Sequence, residues 1–144
     1  MTLALTAFDR YSVRCCALRL GHQLWVELDV QPNDAIVRKA RYSAFIQDSS
    51  NIEEVLRARG IDTVIVTGTV TGVCCESTAR DAMMRNFKTI MVSDGCATRT
   101  DDEHDAALVA FYTTFGDVMS TEEVIGYFVR YAGGGSLAQP SADV

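Results

Sequence analysis

The sequence predicts an α/β fold, a doubly wound parallel sheet with helices on both faces. Two observations carry this prediction. Short apolar or β-branched runs alternate with stretches of helical periodicity, and the connections between them are short. The run Thr63–Thr67 also lacks polar alternation, as expected of a strand buried on both faces of a parallel sheet. Ligands bind such sheets beyond the carboxyl ends of the strands, so residues there are the first candidates for a site.

Four strands are predicted after residue 30, each a short apolar run that ends in polar or small residues: Ala35–Val37, Thr63–Thr67, Lys88–Ser93 and Asp117–Met119. The run Leu3–Phe8 near the N-terminus also has the composition of a strand, and Asp9 follows it. A short helix carrying Val13, Cys16, Ala17 and Leu20 is expected next. The chain therefore has the strand content of a three-layer, Rossmann-like domain.

Helices are predicted after each of the four later strands. Three of the helix starts have the spacing of a capping box: Ser50 with Glu53, Thr100 with Glu103, and Ser120 with Glu123. In the first of these helices, Ile52, Val55 and Leu56 fall on one face, and Gly60 ends it. We divide the chain into a divergent segment (1–20), the α/β domain (21–132) and a flexible tail (133–144).

Composition limits the function classes. The chain has 144 residues, 48% of them hydrophobic, which is enough for one globular domain. A net charge of −6 argues against nucleic-acid binding, and no apolar run approaches the roughly 18 residues of a membrane span. Five cysteines in an odd, partly adjacent pattern favour a reducing cytosol over a disulfide scaffold. They also lack zinc-ligand spacing, so neither a metal nor a cofactor is predicted.

A cysteine follows a glycine-containing loop after the second of the four strands. The segment is Thr67–Ala82, TGTVTGVCCESTARDA, and its helix is predicted to start at Cys74. The unpaired N–H groups and the positive dipole end of a helix start stabilise a thiolate, and these N–H groups can hold an oxyanion. The segment therefore predicts a nucleophile for acyl transfer. Cys75 points about 100° further round the helix and is expected to pack against the sheet.

Several ordered motifs resemble those of the isochorismatase-like cysteine hydrolases, the family of nicotinamidases and N-carbamoylsarcosine amidase. The resemblance runs from about Gly21 to about Phe128. The motifs are Arg38–Phe45 with Lys39, the Cys74 segment, Asp94–Thr98 followed by Glu103 and His104, and Phe115–Val118 followed by Ser120 and Thr121.

The resemblance implies roles for four residues. Cys74 is the nucleophile, because the family's cysteine directly follows a valine. Lys39 is the cation near the thiolate and the developing oxyanion. The peptide bond between Thr69 and Val70 is implied to be cis, and the N–H groups of Val70 and Cys74 are implied to form the oxyanion hole. We expect Lys39 and Cys74 to meet at one edge of the sheet.

The family's third catalytic group is an aspartate at the end of the first strand, which acts as base toward the thiol. The candidate here is Asp9, although the glutamine and phenylalanine that follow this aspartate in the family are absent. The alternative is a surface aspartate near a terminus. Because only 38 residues precede Lys39, we expect a chain that lacks part of the family's N-terminal strand–helix region.

The favoured function is hydrolysis of a small amide or related C–N bond through a thioester, with a small-molecule substrate and a homo-oligomeric state. The first alternative is a shortened, catalytically impaired domain that serves binding. The second, a thiol-redox protein, is weaker because Cys-x-x-Cys is absent. His104 is expected to cap its helix or face solvent, His22 is isolated, and Glu76, Arg80 and Asp81 are expected to pair on a helix surface.

Overall fold

The computed structural model describes residues 3–8 and 27–132, with backbone alone at 3–8 and 131–132. In the described residues five strands alternate with four α-helices and one π-helical turn. These elements are β1 (Leu3–Phe8), β2 (Ala35–Lys39), α1 (Ile52–Ala58), β3 (Thr63–Thr69), the π-helical Cys74 turn (Thr71–Cys75), α2 (Glu76–Met84), β4 (Lys88–Ala97), α3 (Asp101–Tyr112), β5 (Asp117–Met119) and α4 (Thr121–Ala132). The predicted helix around Val13, the residues Asp9 and His22, and the tail from residue 133 lie outside the described residues.

All described strand pairs are parallel, which confirms the predicted α/β fold. β1 pairs with β2, and β3, β4 and β5 pair in that order. Strands β3 and β4 are longer than predicted, because β3 continues to Thr69 and β4 continues to Ala97. The register between them shifts after Val66, and Gly68 has a φ of 121° there, a conformation that glycine adopts easily. This irregularity lies directly before the Cys74 turn.

Two of the three predicted helix caps are present. Ser120 and Glu123 form both bonds of a capping box, with the Glu123 N–H donating to Ser120 Oγ (3.2 Å) and the Ser120 N–H donating to Glu123 Oε2 (2.7 Å). At α3, Thr100 Oγ1 accepts from the Glu103 N–H at 3.3 Å. The Glu103 carboxylate turns instead to Arg99, at 3.0 and 3.2 Å.

The capping box predicted for α1 is wrong. The N-cap is Asn51, so Ser50 lies one residue too early for the required spacing. Ser50 Oγ accepts from the Ile52 N–H (3.2 Å) and donates to the Ala44 carbonyl (2.7 Å). Glu53 forms ion pairs with Arg57 and Arg85 instead. Tertiary partners therefore compete successfully with the local cap.

One hydrophobic core joins the strands and helices. It contains Val37 of β2, Ile52 and Leu56 of α1, and Met91 of β4, together with side chains from β3, α2 and α3. The predicted apolar face of α1 is confirmed, because Ile52 and Leu56 are buried. The buried residues of α3 are Ala107, Leu108 and Phe111, whereas Val109 and Tyr112 are exposed. On α4, Ile125, Phe128 and Val129 are exposed.

Candidate active site

The Cys74 turn begins the helical segment earlier than predicted. Helical structure starts at Thr71 with a π-helical turn, so Cys74 is the fourth helical residue and not the first. The Val70 carbonyl accepts from the N–H groups of Val73 (3.0 Å) and Cys75 (3.3 Å), and neither bond uses the Cys74 N–H. The peptide bond between Thr69 and Val70 is cis. Cys74 therefore lies near the start of a continuous helix and directly beyond the carboxyl end of β3.

The three cysteines of this region differ in environment. Cys74 is half-buried, whereas Cys75 and Cys96 are buried. A hydrogen bond from Cys75 to Cys96, together with burial, raises the pKa of the Cys75 thiol far above its ordinary range. The same bond lowers the pKa of Cys96. Cys74 is therefore the most accessible of these three thiols.

Lys39 is the last residue of β2, and its ammonium group faces the same region. Its Nζ donates to the carbonyl oxygens of Arg41 and Tyr42, each at 3.0 Å. Burial lowers the pKa of Lys39, and the electrostatic interaction with Cys74 opposes this shift. The Tyr42 carbonyl also accepts from Thr78 Oγ1 of α2, at 3.4 Å, so the loop that binds the Lys39 amine contacts the helix that follows Cys74.

β1 ends beside Lys39. The two strands run parallel, and Phe8, the last residue of β1, is the register partner of Lys39. Asp9 is the next residue in the sequence and lies outside the described residues. The carboxyl ends of β1 and β2 are therefore adjacent, as the prediction of a strand ending before Asp9 requires.

The prediction for His104 is wrong. Its Nδ1 lies 2.9 Å from Thr71 Oγ1, a hydrogen bond between α3 and the Cys74 turn. The helix is capped by Thr100, so His104 is not needed as a cap. Its spacing of three residues from Ala107 and seven from Phe111, both buried, was the signal for an inward face. Its acidic neighbours in sequence concealed that signal.

The prediction for Glu76 is correct in its pairing but wrong in its location. Glu76 forms a short ion pair with Arg80 one turn later in α2, as the spacing predicts. However, Glu76 is buried, at 8% exposure. The Arg80 guanidinium lies over the Phe115 ring at 4.3 Å from its centroid. The pair thus links α2 to the segment before β5 and is not a surface feature.

Neither a metal site nor a membrane span is found in the described part of the chain. Across residues 27–130, no three His, Cys, Asp or Glu side chains are grouped so that they could hold a metal ion. Of the helices described, none is long and apolar enough to cross a membrane.

The fold and the site define a class: a parallel α/β protein with a half-buried thiol near a helix start, directly beyond the carboxyl end of a strand. The sequence model of the isochorismatase domain matches residues 5–123, and the chain belongs to the isochorismatase family. The match begins at residue 5, inside β1. This is upstream of residue 21, the predicted start of the domain.

Named relatives include amidohydrolases. Ureidoacrylate amidohydrolase RutB of Caulobacter vibrioides is 39% identical over 114 residues, which cover 78% of this chain and 50% of that protein. Among solved structures, a cysteine hydrolase from Pseudomonas syringae pv. phaseolicola has a TM-score of 0.68 at 38% identity, covering 74% of this chain and 54% of that one. N-carbamoylsarcosine amidase from Thermoplasma acidophilum has a TM-score of 0.61 at 33% identity, covering 69% and 56%. The chain spans about half the length of the curated relatives it matches.

Proposed function

We propose that this protein hydrolyses a small amide or related C–N bond, with Cys74 as the nucleophile. The observation that supports the proposal most is the position of Cys74, a half-buried thiol near the start of the helix that directly follows β3. The relatives named for ureidoacrylate and N-carbamoylsarcosine support the bond type, because both compounds carry a carbamoyl C–N bond. Both compounds also carry a carboxylate, so we extend the proposal to small carboxylate-bearing amides and ureides.

The proposed reaction has two stages. The Cys74 thiolate attacks the carbonyl carbon, and the C=O electron pair moves to oxygen, where the N–H groups of Val70 and Cys74 stabilise it. Collapse of this intermediate breaks the C–N bond, and the nitrogen leaves as an amine after it takes the proton that the thiol lost. Water then attacks the thioester, and the acid and the free thiol are released. Lys39 stabilises the negative charge that passes between sulfur and oxygen.

A base must remove the thiol proton, and Asp9 is the candidate. The parallel pairing of β1 and β2 supports this assignment, because Phe8 is the register partner of Lys39 and Asp9 follows Phe8. The family match supports it as well, since it begins within β1. General-base help is worth about 10²–10⁴-fold in rate, so Asp9→Asn should reduce turnover by a factor in this range.

The second candidate function is binding without catalysis. It is favoured by the sequence after Asp9, which lacks the glutamine and phenylalanine that follow the catalytic aspartate in the family. A domain of this kind would retain the core and the Cys74 turn, and it would bind a small amide without turning it over. Binding with no product release distinguishes it from the hydrolase.

We also infer a homo-oligomer in a reducing compartment such as the cytosol. Six large apolar side chains on α3 and α4 are more than half exposed: Val109, Tyr112, Ile125, Tyr127, Phe128 and Val129. A second copy of the chain would cover them. The cysteines in the described residues are free thiols, which suits a reducing compartment. Light scattering of the purified chain measures the oligomeric state.

The test of the hydrolase is ammonia release from a panel of small carboxylate-bearing amides and ureides. We expect turnover that is lost in Cys74→Ala, reduced in Asp9→Asn and Lys39→Met, and retained in Cys75→Ala, the matched control at the neighbouring thiol. Saturable binding of the same compounds without ammonia release would support the binding domain instead. Turnover that survives Cys74→Ala would contradict the proposed nucleophile.

A further inference from the structure

Helix α3 contacts the Cys74 turn at two adjacent points. At the first, His104 Nδ1 lies 2.9 Å from Thr71 Oγ1. At the second, Gly72 faces Ala107, and a Cβ placed on Gly72 would lie only 3.3 Å from the Ala107 Cβ. Because His104 and Ala107 are three residues apart, they share one face of α3. This face packs closely against the backbone that leads to Cys74.

The Thr71 hydroxyl depends on this contact. Thr71 is fully buried, at 0% exposure, and a buried hydroxyl that lacks a hydrogen-bond partner destabilises the fold. His104 is the partner that the structure provides. Thr71 also stands between the cis bond at Thr69–Val70 and Cys74. Fixing its side chain therefore fixes the backbone on both sides.

The backbone of His104 is fixed in the first turn of α3. Its backbone N–H donates to the Thr100 carbonyl at 3.1 Å. Thr100 caps that turn by accepting from the Glu103 N–H. His104 is half-buried, and the capped turn presents its imidazole to the Thr71 hydroxyl.

We propose that His104 is a positioning residue for Cys74, acting through Thr71. It does not touch the reacting atoms. Its hydrogen bond sets the start of the Cys74 turn, and this determines where the Cys74 sulfur and the N–H groups of Val70 and Cys74 point. The catalytic part of this inference rests on the proposed hydrolase function, whereas the effect on thiol geometry does not.

The test measures the second-order rate of Cys74 alkylation by iodoacetamide, read by peptide mass spectrometry, in five variants. His104→Ala and Thr71→Val remove the hydrogen bond, and the double variant combines them. His104→Asn and Thr71→Ser keep a polar atom near each partner. Labelling of the buried Cys75 and Cys96 reports any opening of the fold.

We expect His104→Ala and Thr71→Val each to slow Cys74 alkylation by about 3–10-fold, the range of one net hydrogen bond. The double variant should be no slower than either single variant, because both remove the same bond. His104→Asn and Thr71→Ser should recover most of the rate. With a turned-over substrate, the loss should fall on kcat, and KM should change little.

A wild-type rate of Cys74 alkylation in His104→Ala would overturn the inference. Additive losses of rate in the double variant would overturn it as well. A loss seen only together with labelling of Cys75 and Cys96 would also overturn it, since it would reflect unfolding. The experiment separates this inference from the proposed function. Non-additive losses of Cys74 alkylation without any amide turnover would contradict the hydrolase proposal and support the positioning role of His104. Amide turnover that is unaffected in His104→Ala would support the hydrolase proposal and contradict the positioning role.

Discussion

Gly116 lies where the chain passes from α3 into β5, and the structure leaves no room for a side chain there. A Cβ on Gly116 would lie 2.5 Å from the Thr89 carbonyl oxygen, 2.6 Å from Thr89 Oγ1 and 3.0 Å from Phe111 Cε1. Thr89 belongs to β4, whose next residue, Ile90, is the register partner of Asp117. Relief of the clash must therefore move paired backbone. Overpacking of this kind costs about 1–3 kcal/mol.

We therefore expect Gly116→Ala to lower the free energy of unfolding by about 2 kcal/mol, because a cost near about 3 kcal/mol is offset by a gain of about 0.4–1 kcal/mol from the less flexible unfolded chain. Gly126→Ala is the matched control. Nothing lies within 4 Å of a Cβ at Gly126, in the interior of α4, so alanine should stabilise the protein by about 0.5–1 kcal/mol. Urea unfolding with an unchanged m-value measures both variants. Equal effects of the two substitutions would refute the argument from close packing.

Two further predictions concern thiol reactivity and acid stability. Near neutral pH, Cys74 should be alkylated faster than the buried Cys75 and Cys96, and equal rates in competitive iodoacetamide labelling would count against an activated thiol. Hydrogen bonds from the Thr121 hydroxyl and N–H hold the pKa of Asp94 below its ordinary value. The stabilisation from Asp94 is therefore present above the unfolded pKa of about 3.9 and is lost as the pH falls through the lower folded value. Urea unfolding between about pH 2 and 6 should show a shallower acid loss in Asp94→Asn than in the wild type, and parallel curves would argue against this linkage.

The parts of the fold that depend on local sequence could be predicted. A run without polar alternation identified β3, and apolar spacing identified the buried face of α1, because burial sets these patterns directly. The ends of the strands could be predicted less well from the sequence. β3 and β4 extend past their β-branched runs through Gly68 and Cys96, which pair across a register shift that no local pattern encodes.

The candidate site could be predicted from the sequence only in part. Cys74 was predicted from its place at a helix start after a buried strand, and Lys39 from a motif that the family shares, and their roles stay predictions. The cis bond at Thr69–Val70 followed only from resemblance, since no residue preference specifies it. The contact between His104 and Thr71 joins residues 33 positions apart, and it depends on how α3 docks against the Cys74 turn. Tertiary packing of this kind leaves only the faint signal of helical spacing in the sequence.

The central claim is that Cys74 carries the acyl group during turnover. Its most direct test is acid quenching of the reaction on a small amide, followed by peptide mass spectrometry. We predict an adduct with the mass of the acyl group on the peptide that contains Cys74, and its absence in Cys74→Ala. Turnover without any adduct on this peptide, or an adduct on a different residue that survives Cys74→Ala, would contradict the account.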